Sequence, residues 1–170
     1  MEQGAVALIH SGYLPGAIGR IVEMHGVYYA EHWGFGAFFE ARMARELGEF
    51  VDRFDPERDG LWTAVVAGRV EGSIAIDGSR AGDKEAHLRW FILEARLRGQ
   101  GTGRRLLDEA VAFCRSRGNR SVALGTFAGL DAARKRYEQA GFRLSLERRG
   151  AQWGVEVAEQ RFELQLHDAG

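Results

Sequence analysis

The sequence predicts an α/β fold of the mixed α+β kind, with one central sheet flanked by about four helices. Three observations carry the fold class. Hydrophobic residues recur at helical spacing in four segments, they change to short β-branched runs in six others, and helix and strand alternate through the second half of the chain. At 170 residues and 45% hydrophobic content, the chain suits a single domain, residues 1–170, with one sizeable core and no internal repeat.

In order, a short apolar start (Ala5 to Ile9) leads to Pro15, where a helix can begin, and Ile18, Ile21, Val22 and Val27 follow on one helical face. The glycine- and aromatic-rich stretch Tyr28 to Gly36 breaks this pattern and reads as a loop. Phe38, Met43, Leu47, Phe50 and Val51 resume it as a second helix. Leu61 to Ala67 and Val70 to Asp77 read as a hairpin about Gly68-Arg69, with a further turn over Gly78 to Asp83. Ala86 to Leu93 reads as a strand buried on at least one face. Leu106, Leu107, Ala110, Val111 and Cys114 then mark an amphipathic helix ended by Gly118. Val122 to Thr126 is a strand, Asp131 to Ala140 a short helix closed by Gly141, and Phe142 to Leu146 and Arg161 to Leu166 are the last strands.

Composition excludes several function classes. Charged residues make up 28% of the chain but nearly cancel, leaving a formal net charge of -1, so no global field calls for nucleic acid or an anionic membrane. Any polyanion must be held locally. The single cysteine, Cys114, lies on the apolar helix face and reads as core, not as a nucleophile. His10, His25, His32 and His167 lack metal-ligand spacing, so no metal is expected. Without a signal-like start or a membrane-length apolar run, the expected location is cytoplasmic.

The most informative segment joins the strand ending at Leu93 to the amphipathic helix through Arg98-Gly99-Gln100-Gly101-Thr102-Gly103-Arg104. Glycines let the backbone close around an anion, the unpaired N–H groups of a first helical turn point at it, and the helix dipole favours negative charge. Arg98 and Arg104 add formal charge. A tight strand-to-helix connection would also need glycine for steric reasons alone. The spacing lacks the G-x-G-x-x-G of a dinucleotide fold and the Gly-Lys-Ser/Thr ending of a nucleoside-triphosphate loop.

Arg98-x-x-Gly101-x-Gly103 resembles the Q/R-x-x-G-x-G/A signature of the GNAT N-acetyltransferases, and Ala133 to Phe142 resembles that family's A-x-x-x-Y-E-x-x-G-F segment. The chain is also similar to the acetyltransferase domains found fused behind MarR-type repressors, without their DNA-binding domain. The resemblance implies a mixed, mostly antiparallel sheet splayed between its fourth and fifth strands, those ending at Leu93 and spanning 122–126. It implies acetyl-CoA as co-substrate, with its pyrophosphate on Arg98, Gly99, Gln100, Gly101, Thr102, Gly103 and Arg104, and its pantetheine arm on the backbone of Phe91 and Leu93. Ala133 and Arg136 would complete the cofactor site, the run Arg134-Lys135-Arg136 approaching the 3′-phosphate or simply facing solvent. The reaction implied is direct attack of a primary amine, of a small molecule or a protein, on the thioester in a ternary complex.

By the same resemblance Tyr137 would protonate the departing thiolate, although a helix-face tyrosine of purely packing role has the same pattern. Leu130 stands about where the family often has an asparagine. His87 occupies the register of a glutamate base in some relatives, with Glu85 or a carboxylate of the N-terminal helices as alternatives. Tyr28, Tyr29, Trp33 and Phe35, with His32 and Phe38 nearby, would line an acceptor pocket or pack the helix pair onto the sheet; Glu31 and Glu40 could meet a cationic amine. A catalytically silent acyl-CoA sensor is the alternative function, and a homodimer is left open.

Overall fold

The computed structural model describes residues 6–79 and 84–166. Ala5, the end of the turn through Asp83, and His167 lie outside the described residues. Strand β1 (Leu8–Ser11) precedes helices α1 (Ala17–Trp33) and α2 (Ala37–Asp52), and the hairpin β2 (Gly60–Val66) and β3 (Arg69–Asp77) leads to β4 (Glu85–Leu93). After a single 3-10 turn at Ala95–Leu97 come α3 (Thr102–Ser116), β5 (Ser121–Phe127), α4 (Asp131–Gln139), β6 (Arg143–Gly150) and β7 (Val157–Gln165). The strands form one sheet of order β1-β2-β3-β4-β5-β7-β6, antiparallel at every pairing except β4 with β5.

Each face of the sheet is covered by a helix pair, because each helix has one apolar stripe to bury. Ile21 and Met24 of α1 and Leu47 and Phe50 of α2 pack on one face with Leu61, Ala75 and Trp90. Leu106, Leu107, Ala110 and Cys114 of α3 and Tyr137 of α4 pack on the other with Trp62, Ile74 and Phe162.

Two features of β4 shape the molecule. Its pairing with β5 is limited to Glu85↔Ser121, Ala86↔Val122 and His87↔Ala123, so from Leu88 onward the two strands diverge and β4 has no strand on that side. In addition, its register with β3 passes from Ala75↔Arg89 to Ser73↔Ile92, setting Trp90 and Phe91 against the single residue Ile74. This β-bulge inverts the side-chain alternation. Ala86 and Leu88 face α3, but beyond the bulge it is Phe91 and Leu93 that do so, while Trp90 and Ile92 face α1 and α2. Trp90 adopts φ 49°, a left-handed conformation uncommon for a bulky residue.

Some sequence expectations need correction. The segment from Tyr28 is not a loop: α1 continues through Trp33, since Tyr28, Tyr29 and Trp33 extend its inward stripe, and only Gly34, with φ 68°, ends it. The hairpin turn is Ala67-Gly68, both at positive φ, one residue earlier than Gly68-Arg69. The apolar start becomes the edge strand β1, and the two last strands run longer than their apolar residues suggested.

Candidate active site

The divergence of β4 from β5 opens a cleft of about 700 Å³ bounded by α1, α2, α4 and the β6–β7 connection. Into it the fold brings Tyr28, Tyr29, His87, Phe91, Leu93, Arg98, Ala133, Arg136 and Tyr137, residues drawn from three separate elements and one turn.

At one end lies the turn before α3. Gly99 and Gly101 have φ 76° and 82°, and a Cβ at either would meet nothing within 4 Å, so glycine serves the backbone conformation there, not packing. Among the described residues, no N–H from Gly99 to Arg104 donates a hydrogen bond; the first helical donor is Arg105, to the Gly101 carbonyl at 3.0 Å. That is a row of unsatisfied donors at a helix N-terminus, the arrangement that holds phosphate. Gly103 is different. A Cβ there would lie 2.8 Å from Arg136 Cζ and 2.9 Å from Leu93 Cδ1, so its missing side chain is what lets the Arg136 guanidinium pack beside the turn. Arg98 donates from Nη2 to the Leu93 carbonyl at 3.4 Å and lies 5.2 Å over the Tyr28 ring. Arg104 and Gln100 are exposed and Thr102 is buried.

Tyr137 is 6% exposed and packed against Phe142 and Phe162, with Phe91 at 6.1 Å between ring centres. Its side chain lines the cleft. Burial pushes its pKa up to about 12, against a smaller opposing pull from Arg136, so the phenol keeps its proton at neutral pH. Tyr29 is raised as well, by burial first and then by Tyr137 and Tyr28, with Arg98 opposing. The phenols of α1 and α4 therefore share one site across the open edge of β4.

His87 stands in the paired half of β4, its Nε2 3.5 Å from Glu85 Oε1, and that carboxylate also accepts from Arg161 at 2.6 Å. Burial lowers the pKa of His25 to about 4, only partly offset by a 2.8 Å hydrogen bond from Nδ1–H to the Ile21 carbonyl. The bond fixes the tautomer, leaving Nε2 as an acceptor. Trp33 and Phe35 do not line the cleft; they pack against Phe127 at 4.7 and 5.5 Å.

Sequence reasoning missed a chain of ion pairs along the α2 wall. Glu46 accepts from Arg42 at 2.8 Å and Arg89 at 2.6 Å, while Asp77 accepts from Arg53 at 2.8 Å and has Arg89 at 3.6 Å. Burial alone would raise Asp77, but hydrogen bonds from Arg53 and Ser79 outweigh it and hold the carboxyl well below its usual range. No local pattern announces this chain, because α2, β3 and β4 meet only in the fold. Among the described residues, no group of three or more acidic, histidine or cysteine residues could hold a metal.

The acetyltransferase (GNAT) family model matches residues 20–142, a span containing the glycine turn, the splayed strands and Tyr137. This chain belongs to the GNAT acetyltransferase family. Among curated proteins it is 33% identical over 86 residues to the "Probable N-acetyltransferase camello" of Xenopus laevis, a match covering 51% of this chain but only 39% of that protein. Among solved structures, an acetyltransferase from Streptococcus agalactiae shares 20% identity with a TM-score of 0.73, over 96% of this chain and 99% of that one. A Salmonella typhimurium protein described as an acetyltransferase, solved with its cofactor acetyl-CoA, gives 17% and 0.74 over 97% and 96%. A ribosomal-protein-alanine N-acetyltransferase from Brucella melitensis gives 16% and 0.74 over 94% and 99%. At these identities the structural likeness is one of fold, and the GNAT fold is the one the motifs implied. Among the described residues no helix is long and apolar enough to cross a membrane.

Proposed function

We propose that this GNAT chain acts as a single acetyltransferase domain that moves an acetyl group from acetyl-CoA to a primary amine by direct attack in a ternary complex. One observation carries the reading: the unpaired edge of β4 and the phenol of Tyr137 share a cleft with Arg98, the residue that opens the turn whose N–H groups form the donor row at the start of α3. The residues fit the coenzyme. Gly99 to Arg104 supply N–H donors for the pyrophosphate, Arg98 and Arg136 supply charge, and the β4 backbone at Phe91 and Leu93 offers the open edge a pantetheine amide can pair with. Ala133 leaves room on the α4 side.

In the transfer, the amine nitrogen bonds to the thioester carbon, the carbon–sulfur bond breaks, the thiolate takes a proton and the nitrogen loses one. Tyr137 supplies the first proton, its raised pKa keeping it protonated beforehand. His87, oriented by Glu85, receives the second through water. Backbone N–H groups of the bulged strand beside Trp90 stabilise the charge developing on the carbonyl oxygen. Tyr28 and Tyr29 bound the acceptor on the α1 side; Trp33 and Phe35 support that wall from behind.

Calorimetric titration with acetyl-CoA tests the reading, with Gly101→Glu beside the wild type. At φ 82° and with open space around the new Cβ, that substitution costs about 1–2 kcal/mol of backbone strain and sets a carboxylate in the donor row. Binding by the wild type, lost in a folded variant, supports the donor site; no binding by the folded wild type refutes it. Binding without acetylation of any amine in a broad panel would favour a silent acyl-CoA sensor.

A further inference from the structure

A bulky residue at positive φ, such as Trp90 in the β4 bulge, persists only where its surroundings over-determine it, and this one lines the cleft. Two contacts hold it. The Trp90 indole is 6% exposed, 5.2 Å from the Phe50 ring of α2 and beneath the Arg89 guanidinium at 4.1 Å. The Trp90 carbonyl accepts a 2.7 Å hydrogen bond from Ser73 Oγ of β3, and Ser73 is fully buried. The first contact is made through the ring face and is tolerant of small shifts. The second fixes the direction of the peptide plane that joins Trp90 to Phe91, because a carbonyl pinned toward β3 sets where the N–H on the other side of that plane must point.

The neighbouring hydroxyl of Thr63 does not share this role. Thr63 lies directly across from Ser73 in β2, yet its Oγ1 is buried without a partner. Without Ser73 the Trp90 carbonyl would be a buried acceptor left unpaired, and the cheapest relief is rotation of that peptide or loss of the bulge. Loss of the bulge would restore plain alternation and carry Phe91 off the α4 face, away from Tyr137.

From this we propose that Ser73 is a positioning residue: through the Trp90 carbonyl it orients the Trp90–Phe91 peptide so that the bulge N–H donates to the thioester carbonyl. The inference rests on the acetyl-CoA reading above but concerns a residue outside the donor motif.

The test needs no acceptor. Acetyl-CoA labelled with carbon-13 at the thioester carbonyl is titrated into wild type, Ser73→Ala, Ser73→Thr and Thr63→Val, and the bound carbonyl stretch is read by difference infrared spectroscopy. A hydrogen bond from the bulge moves the wild-type band to lower wavenumber than in free acetyl-CoA. In Ser73→Ala, with affinity held within about two-fold by the unchanged pyrophosphate turn, the band returns toward its free position; Ser73→Thr restores the shift and Thr63→Val leaves it intact. If Ser73→Ala binds with the wild-type band, the positioning role is wrong while the donor site stands. If the wild type binds no acetyl-CoA, the acetyltransferase reading itself fails and takes this inference with it. Should Ser73→Ala not fold, Ser73→Thr and Ser73→Cys decide: a weak thiol donor must give an intermediate band, and an unchanged one overturns the proposal.

Discussion

Replacing His25 with leucine removes a buried titratable group from the α1 wall, and its effect is a stability change that depends on pH. His25 is 5% exposed and its pKa falls from 6.5 to about 4 because burial disfavours the charged ring. The native state thus binds fewer protons than the unfolded chain between those values, so stability is full above about pH 6.5 and declines as pH falls toward 4. With these two values, protonation of the unfolded chain costs the wild type about 2 kcal/mol between pH 7 and pH 5. Leucine cannot titrate, so the difference between the two proteins isolates this component from every carboxylate they share. Urea unfolding at pH 7, 6 and 5 is the assay. With a slope of about 2 kcal/mol per M, the midpoint of the variant should gain about 1 M on that of the wild type across the range, whatever their order at pH 7. A midpoint difference constant from pH 7 to pH 5 would refute the assignment of His25 as buried and neutral.

Two further outcomes follow from the cleft and the core. Tyr137→Phe keeps the ring packing with Phe142 and Phe162 but removes the proton, so turnover of any accepted amine should drop by about 10²-fold or more while acetyl-CoA affinity stays within about two-fold; steady-state kinetics beside titration separate the two, and unchanged turnover would assign the acid elsewhere. Cys114 is fully buried, and burial pushes its thiol up to about 12, so a thiol reagent should label the native protein only as fast as it opens; mass spectrometry showing rapid labelling without denaturant would contradict this.

Local chemistry made much of this protein legible. The glycines at 99, 101 and 103, the arginine at 98 and the tyrosine at 137 lie within two short motifs, and periodicity alone located the helices and strands around them. Even the failures have local causes: Tyr28 to Trp33 looked like a loop because aromatic residues and following glycines mask a helical stripe whose partners, Phe39 and Phe127, are distant in sequence.

The sequence by itself marked the glycine turn at 99–103 between a strand and a helix, since glycine spacing is a property of one short stretch. It also determined the fold class, because the period of the apolar residues is set by each helix or strand separately. Only the tertiary structure decided that β4 parts from β5 after His87, that a bulge at Trp90 brings Phe91 beside Tyr137, and that Glu46, Arg89, Asp77 and Arg53 share a wall. Each of those depends on register and on contacts between remote segments, and no single stretch of chain encodes a register with a strand it has yet to meet.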